Sequence, residues 1–170
     1  GTLSLWSDRL AGWPNPEATL RIMARTLGAL QAGWTQILPG HYRSRTPSMA
    51  PSLWKATRDH RHALVFLMPD PDSREDALWG PGEAIRKTAS LISEVIRRTG
   101  GDARPHTDEE AAFVFPHMAA DASLGAIGRN GLLLSTRHAC RFSIGAVSTD
   151  LETGLSPASS QGIRAFCSSC

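Results

Sequence analysis

Cys167 and Cys170, separated by two serines, have the spacing that lets two thiolates reach one metal ion or one iron–sulfur cluster. A cubane cluster takes four ligands, and Cys140 is the only other cysteine in the chain. His138 lies close to Cys140, but a zinc site built from this set requires the intervening segment to fold back. A redox-active C-x-x-C pair is a further reading, though the following helix that such pairs use is missing. A second candidate is glycine-rich: Gly125, Gly128 and Gly131 fall within seven residues, with Arg129 and Asn130 between the last two. Such a stretch lets the backbone approach a large ligand closely and donate several N–H groups beside a cation. The spacing is not that of a dinucleotide-binding loop, and no Lys-Ser/Thr pair completes a P-loop. The plain alternative is a tight turn between helix and strand.

These residues need elements to hold them. Asn15-Pro16-Glu17 reads as a helix start, with Leu20, Met23, Leu27 and Leu30 at helical spacing and Gly33 as its stop. Trp34 to Leu38 reads as a short strand, and Tyr42 to Pro51 as a loop. Ala63 to Met68 is an apolar run that suits a strand buried on both faces. The strongest helix pattern spans about Glu83 to Thr99, with Ile85, Ala89, Ile92 and Ile96 on one face and Gly100-Gly101 ending it. A short helix begins near Pro116. Leu132 to Ser135 and Phe142 to Ser148 read as strands, and Asp150 to Gln161 as a polar linker. His60 and His62 alternate before the apolar run, where a solvated strand start is the simpler reading than a ligand pair. His41 and His106 read as loop residues, and His117 lies near enough to the glycines in sequence to approach a ligand.

The composition bounds the function. With 170 residues, 41% hydrophobic and 20% charged, the chain reads as one globular domain. A net charge of +2 and no run of like charges give no electrostatic footprint for nucleic acid. No apolar stretch is long enough to span a bilayer, and no signal peptide is visible. The odd cysteine count is not a disulfide framework, which makes a reducing, cytoplasmic location the expectation. A first residue of Gly rather than Met suggests trimming upstream.

The segment 122–135, ASLGAIGRNGLLLS, followed by IGAVSTDL at 144–151, resembles the glycine-loop and strand signature of the cobalamin-dependent reductases. That family comprises reductive dehalogenases and epoxyqueuosine reductases, and its pattern runs approximately A-G-L-G-x-x-G-(K/R)-(N/H)-x-L-L-(I/L)-(S/T), then L-G-x-x-x-T-D-L. A polar linker and a C-x-x-C-x-x-C-x-x-x-C-P motif follow there; here Cys167-Ser-Ser-Cys170 ends the chain, as if inside the first cluster motif. The resemblance covers about Ala63 to Cys170 well and the first sixty residues poorly. It divides the chain into an N-terminal helical and loop region (1–60), a corrinoid-binding core (61–155), and a linker with the start of an iron–sulfur motif (156–170).

The resemblance implies an α+β fold, a nitroreductase-like sandwich whose central mixed sheet is covered by helices. It implies cobalamin as the cofactor, with 4Fe-4S clusters in a following module. Electrons from a donor would pass through those clusters to the corrin cobalt, and a protein acid would supply a proton as halide or oxygen leaves a small organic substrate. Gly125, Gly128, Asn130, Gly131 and Ser135 match the motif as corrin contacts, and Cys167 and Cys170 as metal ligands. Arg129 matches the basic position, where a cation would stabilise a leaving anion; otherwise it is an exposed loop arginine. Glu109 falls where epoxyqueuosine reductases carry their acid, with Asp108 and Glu110 on either side; Asp-Glu-Glu is otherwise a solvated helix start. Dehalogenases use a tyrosine, and Tyr42 is the only one here. Ser123 and Ala126 depart from the family's usual residues. A corrinoid-binding or cobalamin-handling protein without turnover is the alternative function, and a flavin on the same scaffold ranks below it.

Overall fold

The computed structural model describes residues 2–12, 15–37, 60–70, 80–107, 115–129, 131–135, 137–138 and 141–151. Helix α1 (Thr2–Gly12) comes first, then α2 (Pro16–Thr26). Asn15 begins α2 as its type demands. Its side-chain oxygen accepts the Ala18 N–H at 3.2 Å, and Pro16 follows where a missing N–H costs nothing. The helix stops at Thr26, earlier than the apolar spacing predicts, because Gly28 takes a φ of +111° and Ala29 N–H returns to Ala24 O. Gly33 is therefore not a helix stop; it lies inside strand β1 (Gln31–Gln36).

The long apolar run becomes β2 (His62–Pro69), buried throughout Ala63 to Met68. Helix α3 (Gly80–Arg98) follows, then β3 (Ala103–His106), helix α4 (Phe115–Asp121), the two-residue strands β4 (Ala126–Ile127) and β5 (Leu133–Leu134), and β6 (Phe142–Thr149). The main sheet has the order β1-β2-β6-β3. The α+β class holds. Every pairing in this sheet is antiparallel, so the expected mixed sheet has no parallel pair among the described residues.

Alternation along the strands gives the sheet two buried faces. Leu64, Phe66 and Val147 face α1, α2 and α3, packing with Trp6, Leu20, Met23, Ile85 and Ile92. Ala63, Val65, Leu67, Ile144 and Ala146 face the other way, onto Phe115, Met118, Leu124 and Leu133. The first helices and β1 thus share one core with the later residues. The central pair β2–β6 is tightest at Gly145, where an added Cβ would lie 2.6 Å from both Phe66 Cζ and Ile85 Cγ2.

Three helices end in the same way. After α2 and α3 the left-handed position is held by Gly28 and Gly100, at φ +111° and +93°. After α4 it is held by Ser123, at φ +64°, with Ser123 N–H bonded to Ala120 O and Leu124 N–H to Ala119 O. This is the Schellman pattern with a side chain where glycine belongs, and it is the position of the family pattern's first glycine. An L-residue in this conformation costs roughly 1–2 kcal/mol, partly offset by the greater unfolded freedom of glycine. Ser123→Gly is expected to raise stability by about 0.5–1 kcal/mol, read as a melting point about 2 °C higher. A lower melting point would show that Ser123 is held there by something beyond the cap.

Candidate functional site

The glycine-rich segment folds as a small hairpin on the α4 side of the sheet. Its first requirement is the absence of a side chain at Gly125, where a Cβ would lie 2.4 Å from the Leu134 carbonyl oxygen. That close approach lets Ala126 pair with Leu134 and Ile127 with Leu133. The turn is closed by Gly131 N–H to Gly128 O at 3.0 Å and by Gly128 N–H to Leu132 O at 2.8 Å. Gly131 takes a φ of +78° with open space around its would-be Cβ. Leu133 anchors the hairpin in the core, whereas Leu132 is 55% exposed beside the exposed Arg129.

Both ends of the hairpin are tied to β1. At the entrance, a Cβ on Gly33 would lie 2.5 Å from the Ala122 carbonyl oxygen, so the chain leaving α4 crosses directly over that strand. At the exit, the buried Ser135 Oγ accepts the Arg137 and His138 N–H groups at 3.3 Å each and donates to Gln31 Oε1 at 3.4 Å. The hydroxyl expected to meet a cofactor is thus engaged by its own turn, and the space beside Gly125 is filled by its own hairpin. Among the predicted contacts, Arg129 and Gly131 are exposed, whereas Gly128 is buried beneath them. Glu109, Asn130, Cys167 and Cys170 lie outside the described residues, as do Cys140 and Tyr42.

A cleft of about 590 Å³ opens where the first residues of the motif meet α2 and β1. Arg21 and Arg25 line it together with Glu17, Trp34, Ser123 and Leu124. Trp34 Nε1 donates to Glu17 O at 3.0 Å, fixing the indole against α2. Two guanidiniums in a cleft of this size can hold an anionic or strongly polar group. Arg21 and Arg25 stand four apart on the polar face of α2, a signal visible in the sequence but shared with any solvated helix face.

His60 and His106 depart from expectation. His60 is only 3% exposed rather than a solvated strand start, and His106 lies in β3 at 4% exposure rather than in a loop. His60 Nδ1 and His106 Nε2 each lie 2.8 Å from Ser148 Oγ, and His60 Nε2 lies 2.8 Å from Asp102 Oδ2. Burial, helped by the nearby Arg104 and His60, pulls the His106 pKa down to about 4, so it is neutral near pH 7. The His60 hydrogen bond holds Asp102 below the usual carboxylate range. Among the described residues no group of three or more His, Cys, Asp or Glu side chains is placed to hold a metal ion. Likewise, no described helix is long and apolar enough to cross a membrane.

No family model matches the chain. A tetrachloroethene reductive dehalogenase of Desulfitobacterium hafniense is 36% identical over 86 residues, covering 51% of this chain and 15% of that protein. The fold is similar to an epoxyqueuosine reductase solved with an epoxyqueuosine-modified tRNA stem loop, at a TM-score of 0.66 and 12% identity, over 90% of this chain and 49% of that one. It is also similar to a reductive dehalogenase whose structure suggests a mechanism for B12-dependent dehalogenation, at a TM-score of 0.54 and 22% identity, over 94% of this chain and 24% of that one. The chain therefore spans half or less of the proteins it resembles. In sequence the chain thus resembles a reductive dehalogenase over half its length, and in fold it is similar to solved reductive dehalogenases and epoxyqueuosine reductases.

Proposed function

We propose that this chain is the corrinoid-binding part of a cobalamin-dependent oxidoreductase that removes halide or oxygen reductively from an organic substrate. The observation that carries the reading is the hairpin at 125–135, in which a family-like glycine motif is pinned to β1 at both ends and turns an outward rim to solvent. Three features of the turn support a large planar ligand: the open space beside Gly131, the exposed apolar Leu132 and the cation of Arg129. Arg129, Asn130 and Gly131 would hold the edge of cobalamin, with Gly125, Gly128 and Ser135 setting the hairpin's shape beneath. When bound, cobalamin would supply a redox-active cobalt, and Cys167 and Cys170 would give the first ligands of a 4Fe-4S cluster that delivers electrons.

The chain's own part is orientation and charge. Arg129 would stabilise negative charge developing on a departing halide or oxygen, and an acid from the 108–110 carboxylates, Glu109 first, would supply the proton. A small organic acceptor and a separate electron donor complete the reaction. The proposal puts the protein in the cytoplasm.

Anaerobic titration of the chain with cobalamin, followed by visible absorption, tests the reading. Saturable binding with a shift to the base-off spectrum is expected; a folded chain that leaves the spectrum unchanged would overturn it. In the full-length protein, Arg129→Ala is expected to keep cobalamin affinity within about twofold while lowering reductive turnover roughly 100-fold, with tetrachloroethene as a trial acceptor. Binding without reduction of any acceptor, in a protein with its clusters loaded, would instead favour a corrinoid-handling role.

A further inference from the structure

Four side chains from separate parts of the chain form an unbroken line across one end of the main sheet. Asp102 precedes β3, His60 precedes β2, Ser148 lies in β6 and His106 closes β3. Each consecutive pair is in hydrogen-bond contact at 2.8 Å. The line is open to water at one end only. Asp102 has a side chain 66% exposed, whereas Ser148 is fully buried and the two histidines nearly so. His106 pairs with Ala146, so its ring lies on the sheet face covered by α4.

The chemistry of the members restricts the line further. Ser148 Oγ carries one hydrogen and touches two ring nitrogens, so it must donate to one histidine and accept from the other. With Asp102 as a carboxylate, His60 donates from Nε2 to Asp102, Ser148 donates to His60 Nδ1, and His106 donates from Nε2 to Ser148. One tautomer at one histidine therefore sets the tautomer at the other. Every member can both give and take a proton, a property that a purely structural pin does not need.

We propose that Asp102, His60, Ser148 and His106 form a proton relay between solvent and the layer beneath α4. For inward delivery, Asp102 holds a proton taken from water and both histidines carry theirs on Nδ1. The Asp102 proton passes to His60 Nε2, the His60 Nδ1 proton to Ser148 Oγ, and the Ser148 proton to His106 Nε2. The His106 Nδ1 proton then passes to a carboxylate base, the acid that the proposed reduction has spent, and re-protonates it. One proton enters, one leaves, and no electrons move. A new proton from water at Asp102, with reversal of both tautomers, recharges the line. Among the described residues, the charged groups facing it are Arg97 near Asp102, Arg104 near His106, and Asp150, whose Oδ1 accepts the Asp102 N–H at 2.8 Å. Both ends hold a proton weakly, His106 because of burial and Asp102 because of its histidine partner, so neither end traps one. Its use rests on the proposed reduction, which consumes a proton for each halide or oxygen removed; its existence does not.

The test needs no turnover. In the ¹⁵N-labelled chain, exchange of the His106 ring N–H with water is followed by magnetisation transfer, beside the backbone amides of β6 as a control on the fold. Asp102→Asn can keep a hydrogen bond to His60 but cannot carry a proton, and Ser148→Ala cuts the line in the middle. Both are expected to slow His106 ring exchange by roughly tenfold or more with β6 amide protection unchanged. A structural pin gives the opposite sign, because loosening the site speeds exchange. Equal or faster exchange in Asp102→Asn would overturn the relay, and this exposed position carries the test if Ser148→Ala does not fold.

Discussion

Gly145→Ala is expected to destabilise the protein by about 1–3 kcal/mol, lowering the melting point by roughly 5 °C, although it adds one methyl group to a strand. The new Cβ would sit 2.6 Å from the Phe66 ring and from Ile85 Cγ2, and both residues are fully packed. Phe66 is also the cross-strand partner of Gly145, so the aromatic ring lies over the gap left by the missing side chain. The cost should therefore fall when the ring is removed. In a Phe66→Leu background the same substitution is expected to cost less by about 0.5 kcal/mol or more. Ile85 still resists, so the penalty shrinks without vanishing. Additive effects in the double-mutant cycle would show that ring and glycine are not matched.

Acid is expected to remove about 3 kcal/mol through His106 alone. Its pKa is about 4 in the folded protein against 6.5 for an ordinary histidine. The folded state therefore binds the proton less well than the unfolded chain. The stability this provides is fully present above pH 6.5 and is lost as pH falls toward 4. His62, lowered first by burial, and Asp102, lowered first by its histidine bond, act with the same sign, Asp102 at the acid end of the range. Urea midpoints measured from pH 7.5 down to 4.5 should fall most steeply below about pH 6.5. His106→Gln keeps a donor toward Ser148 without a titrating ring, and should flatten that slope. A wild-type midpoint independent of pH in this window would refute the assignment.

Local signals were legible where one residue's neighbours in sequence are also its neighbours in space. The run Ala63 to Met68 could be read as a doubly buried strand because both faces of β2 are covered, and the Ile85–Ile96 stripe because α3 lies flat on the sheet. Gly33 misled because glycine punctuates helices and also permits close crossings, and only the Ala122 carbonyl above it decides between them. The four-residue edge strand Ala103–His106, with Arg and Pro at its centre, has no strand periodicity to read. Helix α1 did leave a trace in Leu3, Trp6 and Leu10, which all pack on the first core face. The glycine motif was legible as a turn near a strand, but its attachment to β1 was not, since Ser135 reaches Gln31 across 104 residues. The histidines were least legible, because His60 meets Ser148 88 residues away and nothing local tells a buried imidazole from a solvated one.

The position of β6 has a consequence for how the protein is made. This strand lies between β2 and β3, yet it is the last of the four to be synthesised. Until Thr149 has left the ribosome, the inner edges of β2 and β3 have no partner, and the apolar residues of β2 stand on an open strand edge. At roughly 5–20 residues per second, the nascent chain spends on the order of several seconds in that state after β3 is complete. An unpaired, uncharged strand of this kind invites association with other chains. Greater chaperone supply or slower initiation is therefore expected to raise the yield of folded protein in a cell.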